Sequence, residues 1–133
     1  MKKLIVLTLF IICSFNTVNR KDYTTELNTV EKVIKKNNFN ENYCILIDFS
    51  IHSGKKRMFL YNLKTKKLKN SFIVAHGKGS KQFFGKPTKF NNTINSNSSS
   101  LGMAVLDGRD VSKYGIKVKY WLKGLDKTNS NLR

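Results

Sequence analysis

The chain has 133 residues, of which 40% are hydrophobic and 25% are charged. That length permits one domain with a modest core, and the composition excludes a disordered chain and a multi-span membrane protein. The formal net charge is +17, but 21 of the 25 bases are lysine and only 4 are arginine. Nucleic-acid recognition relies heavily on the guanidinium group of arginine, which is scarce here. The chain also contains 15 asparagines, and codons for lysine and asparagine are both rich in A and T. Drift in an AT-rich genome therefore explains the charge as readily as polyanion binding does.

The first residues of the chain predict export. Lys2 and Lys3 precede residues 4–13, a run of ten residues without a charge. This is the pattern of a secretory signal, and it is too short to span a bilayer as a mature helix. We therefore assign residues 1–20 to a signal peptide or lipoprotein signal and expect the protein in the periplasm or cell envelope. Cys13 follows the apolar run and is the candidate lipidation site, although Ile12 stands where a small residue is usual. An uncleaved N-terminal membrane anchor is the alternative.

Residues 21–40 are predicted to contain one amphipathic helix. Between positions 22 and 37, apolar residues recur at three- and four-residue steps, while charges decorate the other side. Acids come early and lysines late, as the helix dipole favours. The pair Asn37-Asn38 then ends the helix. We expect this helix to pack against the sheet that follows rather than to lie on a membrane.

Residues 41–133 are predicted to form a mainly β domain. Residues 43–49 are a continuous apolar run that is typical of a buried strand. Residues 57–61 and 68–75 complete a three-stranded meander after two turns. Cys44 lies inside the first strand, so we interpret it as a small buried hydrophobe and not as a nucleophile.

The second half of the chain is predicted to be dominated by loops. Residues 76–100 form a long polar loop, and a loop of this length inside a compact domain is usually functional or disordered. Residues 101–106 and 116–122 are predicted to be short strands. Residues 108–115 are predicted to be the loop that connects them.

Taken alone, the sequence shows no catalytic centre. The two cysteines and two histidines lack the spacing of a metal site, so no metal and no cofactor is predicted. His76 lies in a glycine-rich loop at the end of a strand, a plausible place for a site residue. His52 lies beside a turn and is expected to be exposed. Ser80, Ser99 and Ser100 offer hydroxyls, but neither a G-x-S-x-G nor an S-x-x-K arrangement is present.

Several motifs between residues 43 and 131 resemble those of bacterial murein L,D-transpeptidase catalytic domain proteins, in one order over about ninety residues. They are Ile47-Asp48, His52-Ser53-Gly54-Lys55 with Arg57, Val74-Ala75-His76-Gly77-Lys78-Gly79-Ser80, Phe90-Asn91-Asn92, Ser96-Asn97-Ser98-Ser99-Ser100-Leu101-Gly102, Leu122-Lys123-Gly124-Leu125-Asp126 and Asn129-Ser130-Asn131. Three positions depart from the family pattern. Asn91 replaces a serine, Asn95 a glycine and Ala104 an aromatic residue.

The resemblance implies acyl transfer between peptidoglycan stem peptides through a cysteine thioester. It also implies that the family's catalytic histidine and cysteine come after the N-S-N motif. Neither His76 nor Cys44 matches those positions, so we expect a C-terminally truncated, incomplete L,D-transpeptidase-like β domain without activity. His76, Ser80, Ser99 and Ser100 are then expected to line the substrate cleft. The alternative is that they only satisfy backbone groups in the long loop.

The expected partners are peptidoglycan stem peptides or an anionic envelope polymer, and not nucleic acid. A non-catalytic basic module that binds the envelope or cell wall is the first alternative function. A cytoplasmic nucleic-acid-binding protein is the second alternative, and it requires that residues 1–20 are not an export signal.

Overall fold

The computed structural model describes residues 21–132, and these are mainly β with one helix near the N-terminus, as predicted. The signal segment and Cys13 lie outside the described residues. The helix is α1 (Thr24–Asn37), and a 3-10 turn spans Lys78–Ser80. The strands are β1 (Tyr43–Ile47), β2 (Met58–Asn62), β3 (Lys67–Phe72), β4 (Gln82–Phe83), β5 (Lys86–Pro87), β6 (Ala104–Val111) and β7 (Val118–Gly124). Among residues 21–132, no helix is long and apolar enough to cross a membrane.

Helix α1 packs against the first sheet and forms the hydrophobic core with it. Leu27 and Ile34 are the buried residues of the helix, seven positions apart and therefore on one face. They pack with Tyr23, Tyr61 and Leu63. The predicted helix and its packing on the sheet are both confirmed.

The first sheet is the predicted antiparallel meander, in the order β1-β2-β3. The prediction that β1 is a buried strand is wrong for one of its two faces. Cys44 and Leu46 are half-buried and pack on the core, whereas Tyr43, Ile45 and Ile47 are 43%, 51% and 41% exposed. Successive side chains of a strand point to opposite faces, and α1 covers only one face of this sheet. An apolar run predicts a strand but not how many layers cover it.

Strands β6 and β7 form a separate two-stranded hairpin. The register runs from Ala104 opposite Gly124 to Val111 opposite Val118, with an irregularity between Leu106 and Gly108. The predicted connecting loop at residues 108–115 is therefore wrong at its start. Glycine and aspartate there indicated a turn, but glycine also occurs at a β-bulge inside a strand.

Candidate functional site

Arg57 is a fully buried arginine that joins the first sheet to the long loop. Its backbone N–H donates to Phe72 O and its carbonyl accepts from Asp48 N, so it lies between β1 and β3. From this fixed position, Nε donates to Val74 O at 2.9 Å and Nη1 donates to Ile51 O at 3.2 Å. Burial lowers the pKa of Arg57. The guanidinium carbon also lies 5.1 Å from the centre of the Phe49 ring, a cation–π distance.

The remaining Arg57 contact orients His76. Nη2 of Arg57 lies 3.0 Å from Nδ1 of His76. A guanidinium only donates hydrogen bonds, so Nδ1 must be the acceptor and the imidazole carries its proton on Nε2. His76 is half-buried. It is therefore an oriented imidazole whose Nε2–H donates to no other group among residues 21–132.

The loop that follows His76 exchanges hydrogen bonds with the serine-rich segment 96–100. Gly77 N donates to Ser99 Oγ at 2.9 Å, and Ser99 N donates to Ser80 Oγ at 2.8 Å. Gly79 N donates to Asn97 O at 2.8 Å. Ser80 is fully buried. This placement favours the loop-stabilising alternative for Ser80 over contact with a substrate.

Two glycines make this close contact between the loops possible. A Cβ at Gly77 would collide with Asn97 O, and a Cβ at Gly79 would collide with Ser96 O. Because these neighbours are backbone atoms, they cannot move away as a flexible side chain does. The H-G-x-G spacing therefore sets how closely residues 77–79 approach residues 96–98.

Ser99 and Ser100 connect the same cluster to Asn91. Ser100 Oγ donates to Asn91 O at 2.9 Å, and Asn91 N donates to Ser99 O at 3.1 Å. Ser99 and Ser100 are half-buried, like His76. These three residues belong to one network through Gly77 and Ser99. Contact with a substrate stays a prediction for them.

Asn92 fastens the C-terminal part of the described chain to the cluster. Its Nδ2 donates to Ser130 Oγ and to Lys127 O, both at 3.0 Å. Asn131 donates to it twice, from N to Asn92 Oδ1 at 3.0 Å and from Nδ2 to Asn92 O at 2.8 Å. Both the nitrogen and the oxygen of the Asn92 side chain are therefore used in hydrogen bonds.

Asn129 is almost completely buried, with 1% of its surface exposed, and holds the end of β7. Its Nδ2 donates to Met103 O at 2.7 Å, and its Oδ1 accepts from Asp126 N at 2.9 Å. A Cβ at Gly124 would collide with Asn129 O, so glycine is required there. The N-S-N motif is thus a structural clamp in this chain.

Asp48 is a buried carboxylate that sequence reasoning missed, as it missed the contacts of Arg57. It accepts hydrogen bonds from Lys21 Nζ and Tyr23 Oη, both at 2.9 Å, and from Ser50 N and Oγ at 2.8 and 2.6 Å. Burial raises its pKa, but the hydrogen bonds from Ser50, Lys21 and Tyr23 outweigh burial and lower it to about 2. Burial and then Asp48 raise the pKa of Tyr23 well above its ordinary value. Asp48 and Arg57 both lie in motifs that resemble those of the family. That membership was the only sign in the sequence that these two side chains matter.

Cys44 has the environment of a packing residue. It is half-buried on β1 against the core, and burial followed by the charge of Glu31 raises the pKa of its thiol. Since the thiolate is the nucleophile, a raised pKa disfavours reaction. Within residues 21–132, no three histidine, cysteine or carboxylate side chains form a group that could hold a metal ion.

The fold and the candidate site together define a β scaffold whose loops converge on an oriented histidine. A family model described as the L,D-transpeptidase catalytic domain matches residues 15–133. The chain therefore belongs to that family, and the resemblance found in the sequence is confirmed. The family acts on peptidoglycan peptides, so the function of the chain is related to peptidoglycan. No protein with a curated description and no solved structure matches the chain.

Proposed function

We propose that this chain is an exported protein that binds peptidoglycan stem peptides at the loop cluster around His76. One observation carries the proposal. The motifs that mark the family, far apart in sequence, are joined by hydrogen bonds into one framework. Arg57 bonds to His76, the loop 77–80 bonds to the segment 96–100, and Asn92 bonds to residues 127–131.

The framework presents oriented donors to a peptide ligand. Arg57 orients the imidazole of His76 and its Nε2–H, and the hydroxyl of Ser99 accepts from Gly77 N and so keeps its own proton for a ligand. Ser100 already donates its proton to Asn91 O, so its oxygen can only accept. Stem peptides carry carbonyl oxygens and carboxylates, which accept such hydrogen bonds. Because the donors are already ordered, binding loses little further conformational entropy.

We also propose that residues 1–133 bind stem peptides without catalysing acyl transfer. The family reaction requires a thiolate activated by a base. Cys44, the cysteine within the described residues, packs against the core with a raised pKa and forms no hydrogen bond to a histidine there. With Nδ1 of His76 accepting from Arg57, Nε2 carries the proton and has no lone pair with which to deprotonate a nucleophile.

Two measurements test these claims. The purified chain is incubated with a disaccharide tetrapeptide, and the products are separated by mass spectrometry. We expect no cross-linked dimer and no released terminal residue, and any turnover contradicts the absence of transfer. Binding is measured by co-sedimentation with purified sacculi. We expect His76→Ala to reduce binding severalfold and His52→Ala, the matched control at the exposed histidine, to leave it unchanged. Equal binding by both variants and the parent chain contradicts the site.

A second candidate function is non-catalytic retention on an anionic envelope polymer. Residues 49–106 contain eleven lysines and arginines and no acid. Among the described ion pairs, only Lys66 of this segment has an acidic partner, Glu31. This candidate predicts that sacculus binding falls steeply with salt and is insensitive to His76→Ala. Export itself is tested by cell fractionation, and recovery in the cytosol contradicts it.

A further inference from the structure

The short hairpin of β4 and β5 exposes two adjacent phenylalanines. Phe83 and Phe84 are 68% and 79% exposed, and their rings meet edge to face with centres 4.5 Å apart. A phenyl group that stays exposed to water lacks the favourable free energy that burial would provide. Two together form a small contiguous apolar patch of the kind that marks an interaction site.

The backbone under these rings favours other residues. Phe84 and Gly85 are the two central residues of the turn, with φ of 45° and 68°. A two-residue hairpin turn with positive φ at both positions favours Asn-Gly, because bulky residues are strained in the left-handed region. Phe84 is therefore unfavourable both for the backbone and for hydration. Folding alone does not explain a phenylalanine at this position.

The hairpin is held at its tip by the loop at residues 52–53 and at its base by Ser80, which precedes it. Ser53 N donates to Gly85 O at 2.8 Å, and a Cβ at Gly85 would collide with the His52 ring. On the other side, Thr88 N and Lys89 N donate to Ser80 O at 3.2 and 2.9 Å. The phenyl rings are thus projected from a fixed base rather than from a loose loop.

The charge around the hairpin is positive and unneutralised. Lys81 and Lys86 flank the phenylalanines, and both lie in the segment 49–106 that contains no acid. Neither lysine takes part in an ion pair among residues 21–132. The apolar tip of the hairpin lies between exposed lysines. It is therefore complementary to a surface in which hydrocarbon lies just beneath a layer of negative charge.

We propose that Phe83 and Phe84 dock this protein on an anionic phospholipid bilayer, with the rings between the head groups and Lys81 and Lys86 at the phosphates. A second copy of the chain fits less well, because each copy carries a net charge of +17 and repels the other. A charged wall polymer neutralises the lysines but supplies no hydrocarbon for two phenyl rings. This inference goes beyond the proposed function and does not depend on it.

Insertion of the hairpin is measured directly with Phe84→Trp in the full chain. The variant is mixed with vesicles of phosphatidylcholine containing phosphatidylglycerol, with brominated acyl chains, and the emission of the parent chain (from Trp121) is subtracted. We expect the added indole to shift to shorter wavelength and to be quenched. Thr25→Trp is the matched control, at an exposed position of α1. Its indole is expected to remain unquenched. An unquenched indole at position 84 in a vesicle-bound chain, or a chain that does not bind these vesicles, overturns the proposal.

Co-sedimentation with the same lipids separates the contribution of the phenylalanines to vesicle binding from that of the lysines. The double variant Phe83→Ser/Phe84→Asn is expected to bind about tenfold more weakly to anionic vesicles. Lys81→Ala/Lys86→Ala is expected to lose about tenfold on anionic vesicles, with little change on pure phosphatidylcholine. Lys35→Ala/Lys36→Ala on α1 is the matched charge control and is expected to retain binding.

Misfolding is excluded with Phe84→Gly. This change relieves the positive φ, so its thermal midpoint is expected to equal or exceed that of the parent chain while vesicle binding falls. Unchanged vesicle binding by Phe84→Gly and by the double phenylalanine variant overturns the proposal. A loss confined to lipid-free sacculi also overturns it, because the occupant would then be wall polymer.

Discussion

Nη2 of the buried Arg57 lies 3.0 Å from Nδ1 of His76, and this contact connects the interior of the first sheet to the surface loop of the candidate site. The arginine has no carboxylate partner among residues 21–132. Its charge is instead distributed over two carbonyls, an imidazole and an aromatic ring. The guanidinium therefore braces the start of this loop, at Val74 and His76.

Arg57→Lys should destabilise the protein although it conserves charge. A lysine cannot reach Val74 O, Ile51 O and His76 together, so buried acceptors lose their donors. We expect a loss of about 3 kcal/mol in the free energy of unfolding, measured by urea denaturation. Arg109→Lys, at an exposed position of β6, is the control and should change stability by less than about 0.5 kcal/mol. Similar midpoints for the two variants would contradict the bracing role.

Asp48→Asn should reveal a pH-dependent part of the stability. The pKa of Asp48 is lowered from 3.8 to about 2 in the folded protein. The stabilisation is therefore fully present above pH 5 and lost as the pH falls from about 4 to 2, and it amounts to about 2 kcal/mol. We expect the stability difference between the parent chain and Asp48→Asn to shrink over that interval. Asp107→Asn, on the exposed part of β6, is the comparison variant. A constant difference for Asp48→Asn down to pH 2 would disprove the assignment.

Gly79→Ala should separate the histidine loop from the serine-rich segment. The added methyl group collides with Ser96 O, and the resulting strain should cost about 2 kcal/mol. Gly108→Ala is the matched control, because nothing lies within 4 Å of a Cβ built there. Thermal unfolding of the two variants compares them directly. Equal midpoints would mean that the loops do not lie as close as described.

Asn129→Ala should loosen the end of β7 without unfolding the helix–sheet core. Met103 O loses a donor and Asp126 N loses an acceptor, which should cost about 2 kcal/mol locally. Hydrogen exchange at Leu125 and Asp126 should accelerate by about thirtyfold, while amides of α1 keep their rates. The exposed Asn28→Ala in α1 is the comparison variant. Uniform acceleration across the chain would show that the clamp is not local.

Local patterns predicted the elements of this fold and missed the contacts between them. The spacing of Leu27 and Ile34 was enough to predict α1 and the side it buries. The exposure of Ile45 depends on what covers the sheet, which periodicity does not encode. The bond between Arg57 and His76 spans 19 positions and exists only because β2 and β3 pair. The motifs indicated which residues matter, and only their geometry shows that most of them bind other loops.

Ser80 connects two surface structures, one through its side chain and the other through its backbone. Its hydroxyl holds Ser99 beside the histidine loop, and its carbonyl holds Thr88 and Lys89 at the base of the phenylalanine hairpin. One buried residue is thus the joint between two surface structures. We therefore expect a substitution at Ser80 to disturb both the hairpin and the loop of the candidate site.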